Sequence, residues 1–351
     1  MSNNDQVGNI QTVTGTIKPS ELGKTSTHEH IFIDFVCMFT KPAEANQQFK
    51  ANEPLRLDNL GWIKYDPFRN IDNLELNNES VAVDEILKYK AVGGNSIVEA
   101  TTLGIGRDPQ ALAKVSRLTG VNIITGAGYY VDAVHPKNMD GQTVSQLEDQ
   151  IISEVQKGIG ATGIKAGIIG EIGCSWPLTG NESKVLKAAA KAQKQTGAAI
   201  LIHPGRNEKS PFEILDVLSK AGADVSRVII GHIERTIQDI NLVDKLAKSG
   251  CYLEYDLFGW EISYYPLSDE IDMVNDSQRI NYILKLIDLG YENNIVIAQD
   301  IFSKHRLATY GGHGYGHIIE NILPRMAKSG ITSDVINKII TNNPSKILTF
   351  K

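Results

Sequence analysis

From about residue 80 onward the chain alternates short, mostly apolar runs with longer stretches of helical periodicity. The runs at 96–99, 122–126, 164–169, 199–203, 228–231, 252–255 and 295–298 are continuous enough to be strands buried on both faces. The stretches at 81–91, 109–118, 144–158, 182–196, 211–220, 237–248, 277–289 and 318–328 space their apolar residues as helices do. An earlier strand at 24–33 precedes the first helix, which Ser80 is placed to cap and Gly93-Gly94 to end. A short β element at 13–17 opens the chain, and a last helical stretch at 335–348 is broken by Thr341-Asn342-Asn343-Pro344.

Eight strand–helix repeats predict an α/β protein of the (β/α)8 TIM-barrel type, with a doubly wound open sheet as the alternative. No linker or shift of composition divides residues 1–351, so one barrel domain is expected. The segment 36–79, rich in Asn, Pro and aromatic residues, is too long for a plain connection and reads as a lid or a contact surface.

Composition narrows the class further. With 42% hydrophobic and 22% charged residues, the chain is ordinary globular protein. A net charge of -6 without a dense basic run speaks against nucleic acid or an anionic membrane as partner. The polar start, 1–11, has no apolar core for a signal peptide, and no run is long enough to span a bilayer. Three distant cysteines, Cys37, Cys174 and Cys251, suit a reducing cytoplasm rather than a disulfide framework.

The chemistry lies at the expected strand ends, where a barrel gathers its functional residues. Thr27-His28-Glu29-His30 places two histidines on one face of a strand, in reach of one cation. Glu171 follows the fourth strand, His203 and Arg206 the fifth, His232 and Arg235 the sixth, and Asp300 the eighth. Four of the eight histidines thus fall on three strand ends. His135, His305, His313 and His317 fall in loops. The glycine-rich run Gly311 to Gly316 lacks the spacing of a nucleotide loop, and neither a Gly-x-Ser-x-Gly elbow nor a phosphate loop is present.

These residues, with Thr12-Val13-Thr14-Gly15, Gly104-Ile105-Gly106-Arg107-Asp108 and Gly163 to Ile169, run nearly the length of the chain. Their pattern resembles the phosphotriesterase-like branch of the amidohydrolase superfamily, and within it the lactonases of phosphorylated sugar lactones. The resemblance implies a distorted barrel with two divalent metal ions, zinc first, with manganese, iron or cobalt as alternatives. It implies that His28, His30 and Asp300 hold the buried metal and that His203 and His232 hold the exposed one. Glu171 would bridge them, in the place many relatives give to a carboxylated lysine. Lys165 is the rival for that role but sits at the wrong end of its strand. Homodimers are common among such relatives.

The same resemblance implies hydrolysis of a small anionic lactone, a phosphorylated furanose 1,4-lactone foremost, by a hydroxide bridging the metals. Acyl-homoserine lactone or phosphotriester hydrolysis is the runner-up, with Trp62, Trp260 and Tyr264-Tyr265 as its apolar pocket. Asp256 is followed by Leu257, where phosphotriesterases proper carry a histidine. Asp300 is expected to carry the proton from nucleophile to leaving group, and Tyr130 to donate to the oxyanion. Lys304, Arg306, Arg206, Arg235 and Tyr129 are the expected substrate contacts, the cations suiting a phosphate. A barrel that binds a ligand without turning it over is the reading from a different class, and two bound metals would argue against it.

Overall fold

In the computed structural model, which describes residues 6–351, eight parallel strands follow one another around a barrel in sequence order. They are β1 (Thr25–Glu29), β2 (Ser96–Glu99), β3 (Asn122–Ala127), β4 (Ile168–Gly173), β5 (Ile200–His203), β6 (Val228–Ile230), β7 (Tyr252–Tyr255) and β8 (Ile295–Ile297). Strands β1 and β8 close the ring through two bonds. Thr27 Oγ1 donates to Ile297 O at 3.1 Å, and Asp300 N donates to His28 O at 3.0 Å. A doubly wound sheet would leave these edges apart, so the open-sheet alternative fails. Part of the reading of residues 1–11, Met1 to Asp5, lies outside the described residues.

Strand parity sorts the core. Leu201, Ile229 and Val296 fill the lumen with Val98, Ile124 and Ile168. Their neighbours Ile200, Ile202, Val228, Ile230, Ile295 and Ile297 point outward into the helical layer. That layer is made of helices such as Pro109–Thr119, Val144–Gln156, Gly180–Thr196, Ser210–Lys220 and Asp276–Asp288. Strands β5, β6 and β8 are therefore apolar on both faces, the pattern that predicted them, whereas β1 is polar throughout.

Four local readings change. Asn78, not Ser80, caps the helix Glu79–Ala91, accepting from Ser80 N and Val81 N at 3.0 and 3.2 Å. The fourth strand runs four residues later than expected, because 164–167 pack without pairing as a strand while Ile172 and Gly173 do pair, with Ile202 and His203. The helix expected at 237–248 is shortened to Ile240–Ala247, with a separate turn, Ile233–Thr236, before it, and its Asp239 cap accepts from Asn241 N at 2.9 Å. The stretch 335–348 is not broken. A π-turn, Lys338–Asn342, joins Ser333–Asn337 to Asn343–Leu348, so Pro344 sits in a first turn where no helical N–H is required of it.

The long segment after β1 is tied at its neck by the antiparallel pairing of Ile33–Asp34 with Glu75–Leu76. It holds a short helix, Leu60–Tyr65, and several single turns. Asn70 Nδ2 donates to Lys50 O and Glu53 O, and Asn73 Oδ1 accepts His305 N at 2.9 Å. The segment thereby lays Phe35 and Phe68 across the C-terminal mouth of the barrel, against Phe302.

Candidate metal centre and catalytic cavity

Six residues, His28, His30, Glu171, His203, His232 and Asp300, converge at that mouth. From β1 come His28 and His30, two apart and on one face. His30 Nε2 lies 3.1 Å from Asp300 Oδ1 and 3.3 Å from Glu171 Oε1. His28 Nε2 lies 3.4 Å from Glu171 Oε2. His203 Nδ1 is 3.0 Å from the same Glu171 oxygen and 2.8 Å from His232 Nε2. Behind them, His232 Nδ1 meets Asp256 Oδ1 at 2.8 Å, and His28 Nδ1 meets Glu254 and Asp256 at 3.1 and 3.2 Å. His30 Nδ1 is held by Thr101 Oγ1, which donates to Glu99 at 2.6 Å.

The local backbone explains how these side chains turn inward. Parity would face Gly170 into the lumen and Glu171 out of it. A shift of register between Ile169 and Ile172 reverses this and delivers Glu171 to the site. Gly170 has φ +124°, and a Cβ there would lie 2.2 Å from Leu201 O, so only glycine serves. Among the described residues, His232 and Asp300 alone of the non-glycines have positive φ, at 52° and 50°. Two strand ends, those of β6 and β8, thus hold left-handed backbone at candidate ligands, a cost expected where a site is over-determined.

The donor set fits divalent cations. His28 Nε2 is fully buried without a hydrogen-bond partner. The His28 side chain belongs to three groups of three ligand residues close enough to share an ion, one with His30 and Asp300, one with Glu171 and His232, and one with Glu254 and Asp256. Carboxylates crowd the same buried space, and such charges require compensation. Burial alone would push His30 and His232 down, yet nearby carboxylates hold both at about 9. Asp300 and Glu171 do this at His30, and Asp256 at His232. Burial would raise Glu171, but His28 and His203 hold it well below the usual range. His203 is the exception. Burial and the neighbouring His232 push it down to about 3, leaving it a neutral donor. Six side chains, His28, His30, Glu171, His203, His232 and Asp300, would hold two metals here.

A cavity of about 390 Å³ covers this cluster, at the small end for ligand sites. Tyr130, Arg206, Arg235, Trp260 and Tyr265 line it with apolar residues such as Phe35, Phe68 and Leu257. Tyr130 OH lies 3.3 Å from His203 Nδ1, and burial raises its pKa far above the ordinary value, so the phenol keeps its proton. Arg206 Nε donates to Tyr265 OH at 2.8 Å. Arg235 Nη2 lies 3.2 Å from His203 Nε2 and donates to Pro204 O at 3.0 Å, while its Nη1 is buried without a partner.

Three expected substrate contacts are elsewhere. Tyr129 faces the helical layer, edge-on to His135. Lys304 Nζ pairs with Asp72 Oδ1 at 2.6 Å and holds down the long segment. Arg306 lies behind Trp260, its Nη2 donating to Phe258 O at 2.6 Å. Of the expected aromatic pocket, Trp260 and Tyr265 line the cavity. Trp62 bonds to Gln47, and Tyr264 stacks on Tyr65. Glu254 was missed, although it shares the inward parity of Tyr252 and Asp256 on β7.

A (β/α)8 barrel with a buried His/Asp/Glu cluster at its mouth is a metal-dependent hydrolase of the amidohydrolase kind. The chain belongs to the phosphotriesterase family, which it matches over residues 8–348. It is 49% identical to the N-acetyltaurine hydrolase of Dictyostelium discoideum, over 98% of this chain and 99% of that protein. It is 47% identical to the N-acetyltaurine hydrolase of Homo sapiens, with the same coverage. It superimposes on a resiniferatoxin-binding protein from Rhodobacter sphaeroides with a TM-score of 0.94 at 34% identity, covering 97% of this chain and 95% of that one. These relatives correct the narrower expectation. Proteins nearly half identical from end to end are named for an amide, so the resemblance to lactonases of phosphorylated sugars does not hold at that level. The lactone substrate and the homoserine-lactone and triester alternatives go with it. Among the described residues no helix is long and apolar enough to cross a membrane.

Proposed function

We propose that this protein hydrolyses the amide of a small N-acylated amino sulfonate, N-acetyltaurine first. The observation that carries the reading is the pairing, in one small cavity, of the ligand cluster with two arginines, the half-buried Arg206 and the buried Arg235. It agrees with the substrate of relatives 47–49% identical over nearly the whole chain. A sulfonate is a permanent anion, and guanidinium groups bind such oxyanions with charge-assisted bonds. The apolar wall of Phe35, Phe68 and Leu257 suits a short acyl group.

Bound divalent metals would supply Lewis acidity to the scissile carbonyl and to water. Zinc is assigned first because histidine and carboxylate are its ordinary nitrogen and oxygen donors, with manganese, iron and cobalt next. The chain's own groups do the rest. Tyr130, kept protonated, donates to oxygen as negative charge grows on it. Asp300 takes the proton of the attacking water and delivers it to the amide nitrogen, without which an amine is a very poor leaving group. Arg206, braced by Tyr265, and Arg235 fix the anionic end, so that the carbonyl is presented in register. A cytoplasmic setting belongs to this reading and is supported by the three free cysteines.

The test is release of taurine and acetate from N-acetyltaurine by the metal-loaded protein, with N-ethylacetamide as the substrate lacking the sulfonate. We expect kcat/KM to fall at least about 100-fold without the anion, and Arg206→Met to raise KM about 10- to 100-fold, the scale of a bond to a charged group. Equal turnover of the two amides, or none of either with two metals bound, would overturn the assignment.

A further inference from the structure

Behind the Trp260 indole lies a second cavity, of about 570 Å³, with Trp260 as the shared wall. It is enclosed by residues 259–262 after β7, by His305, Arg306 and residues 311–313 after β8, and by Lys64 of the long segment. Arg306 is only 6% exposed, and its Nη1 has no hydrogen-bond partner at all. A buried guanidinium amine without an acceptor is costly unless something binds it. Lys64 Nζ donates to Gly311 O at 3.0 Å, which keeps the ammonium over the glycine-rich turn. That turn closes on Arg306 because Gly312 has no side chain, and a Cβ there would lie 2.2 Å from Arg306 O. Two cationic side chains, Arg306 and Lys64, line it. His305 is pushed down to about 3, first by burial and then by Arg306 and Lys64. One carboxylate, that of Glu261, lines the same cavity, with Oε1 accepting Asp276 N at 2.8 Å.

We propose that this cavity is a second binding site, for a small zwitterion with a sulfonate or carboxylate at one end and an ammonium at the other. The anionic end meets Arg306 and Lys64, and the ammonium meets Glu261. On the reading given above, on which this identification rests, the amine released by hydrolysis is such a molecule. An occupant there presses on the indole that also closes the catalytic cavity.

Calorimetric titration of taurine and of ethanesulfonate into metal-loaded protein tests the site, with Lys64→Met and Glu261→Gln as variants. Lys64 does not line the catalytic cavity, so a ligand bound only there is blind to its loss. We expect Lys64→Met to weaken both ligands about fivefold, the upper range for a partly exposed ion pair. Glu261→Gln should weaken taurine and not ethanesulfonate. Taurine affinity unchanged in Lys64→Met, or an equal loss for both ligands in Glu261→Gln, overturns the proposal. Turnover of N-acetyltaurine is scored separately. Lys64-sensitive taurine binding without any hydrolysis would sink the proposed reaction and leave this site standing.

Discussion

Asp300 faces the ligand cluster and, in the reaction proposed above, would carry a proton. Its Oδ1 lies 3.1 Å from His30 Nε2 and its Oδ2 3.9 Å from His232 Nδ1, so the carboxylate reaches across the cluster. An amide of this size replaces the acid with little change of shape but cannot take up a proton. Asp300→Asn is therefore expected to keep the fold and part of the metal while losing about 100- to 10,000-fold in kcat, the usual worth of a positioned acid–base group. Steady-state kinetics beside metal analysis checks it, and near-normal turnover would remove the residue from the mechanism. Arg235 shows how a neighbour can matter without touching the substrate's reacting atoms. Its contacts to His203 and Pro204 brace the β5 end, while its Nη1 is buried without a partner.

Among the elements, the helix Asp276–Asp288 is bonded directly into the site's surroundings. Asp276 Oδ1 accepts from Arg279 Nη1 at 2.9 Å and Gly259 N at 2.8 Å, while Oδ2 meets His317 at 2.8 Å. Arg279 in turn donates to Glu234 at 3.0 Å, so helix and the loops after β6, β7 and β8 form one network. Burial alone would raise the Asp276 pKa, but His317 and Arg279 outweigh it and hold it at about 2. An unfolded aspartate titrates near 3.9. The folded state therefore gains from ionised Asp276 fully above about pH 4, and loses that gain as the pH falls through about 2. At 1.36 kcal/mol per unit, the gain is on the order of 2 kcal/mol. Urea unfolding of wild type and Asp276→Asn should show a gap of that order at pH 6 that narrows from pH 4 downward. A gap that stays constant, or widens, on acidification would contradict the network.

At the scale of the whole molecule, the barrel gathers distant residues. β1 and the end of β8 lie some 270 positions apart in the chain and meet through the Thr27 to Ile297 bond. The cluster they form leaves a buried imidazole nitrogen without a partner beside several carboxylates, and folding must tolerate this until cations arrive. Metals that bind only the folded state stabilise it by about 4 kcal/mol when present at 1,000 times their dissociation constant. Removal by a chelator should lower the melting temperature by several degrees, and zinc should restore it. A melt that ignores chelation while activity disappears would mean that the metals are not held by this buried set.

Much of this could be read in advance, for a physical reason. Strand parity and helical periodicity are local properties, so the eight repeats and the inward pair His28 and His30 are visible in the chain as written. The same holds for the histidines closing β5 and β6 and for the aspartate beyond β8. Glu254 could have been found by the same parity and was passed over. Other features had no local signal. The shift of register that turns Glu171 inward depends on Gly170 packing under Leu201 O. The fate of Lys304 and Arg306 was settled by where the long segment and the β7 loop come to rest. One cation was taken by Asp72, and the other was set behind Trp260. Charges in loops near a mouth carry no direction in the sequence, because loop geometry comes from contacts hundreds of residues away. Which bond is broken was likewise beyond the ligands alone. That choice rests on the walls of the cavity, and only the tertiary structure assembles them.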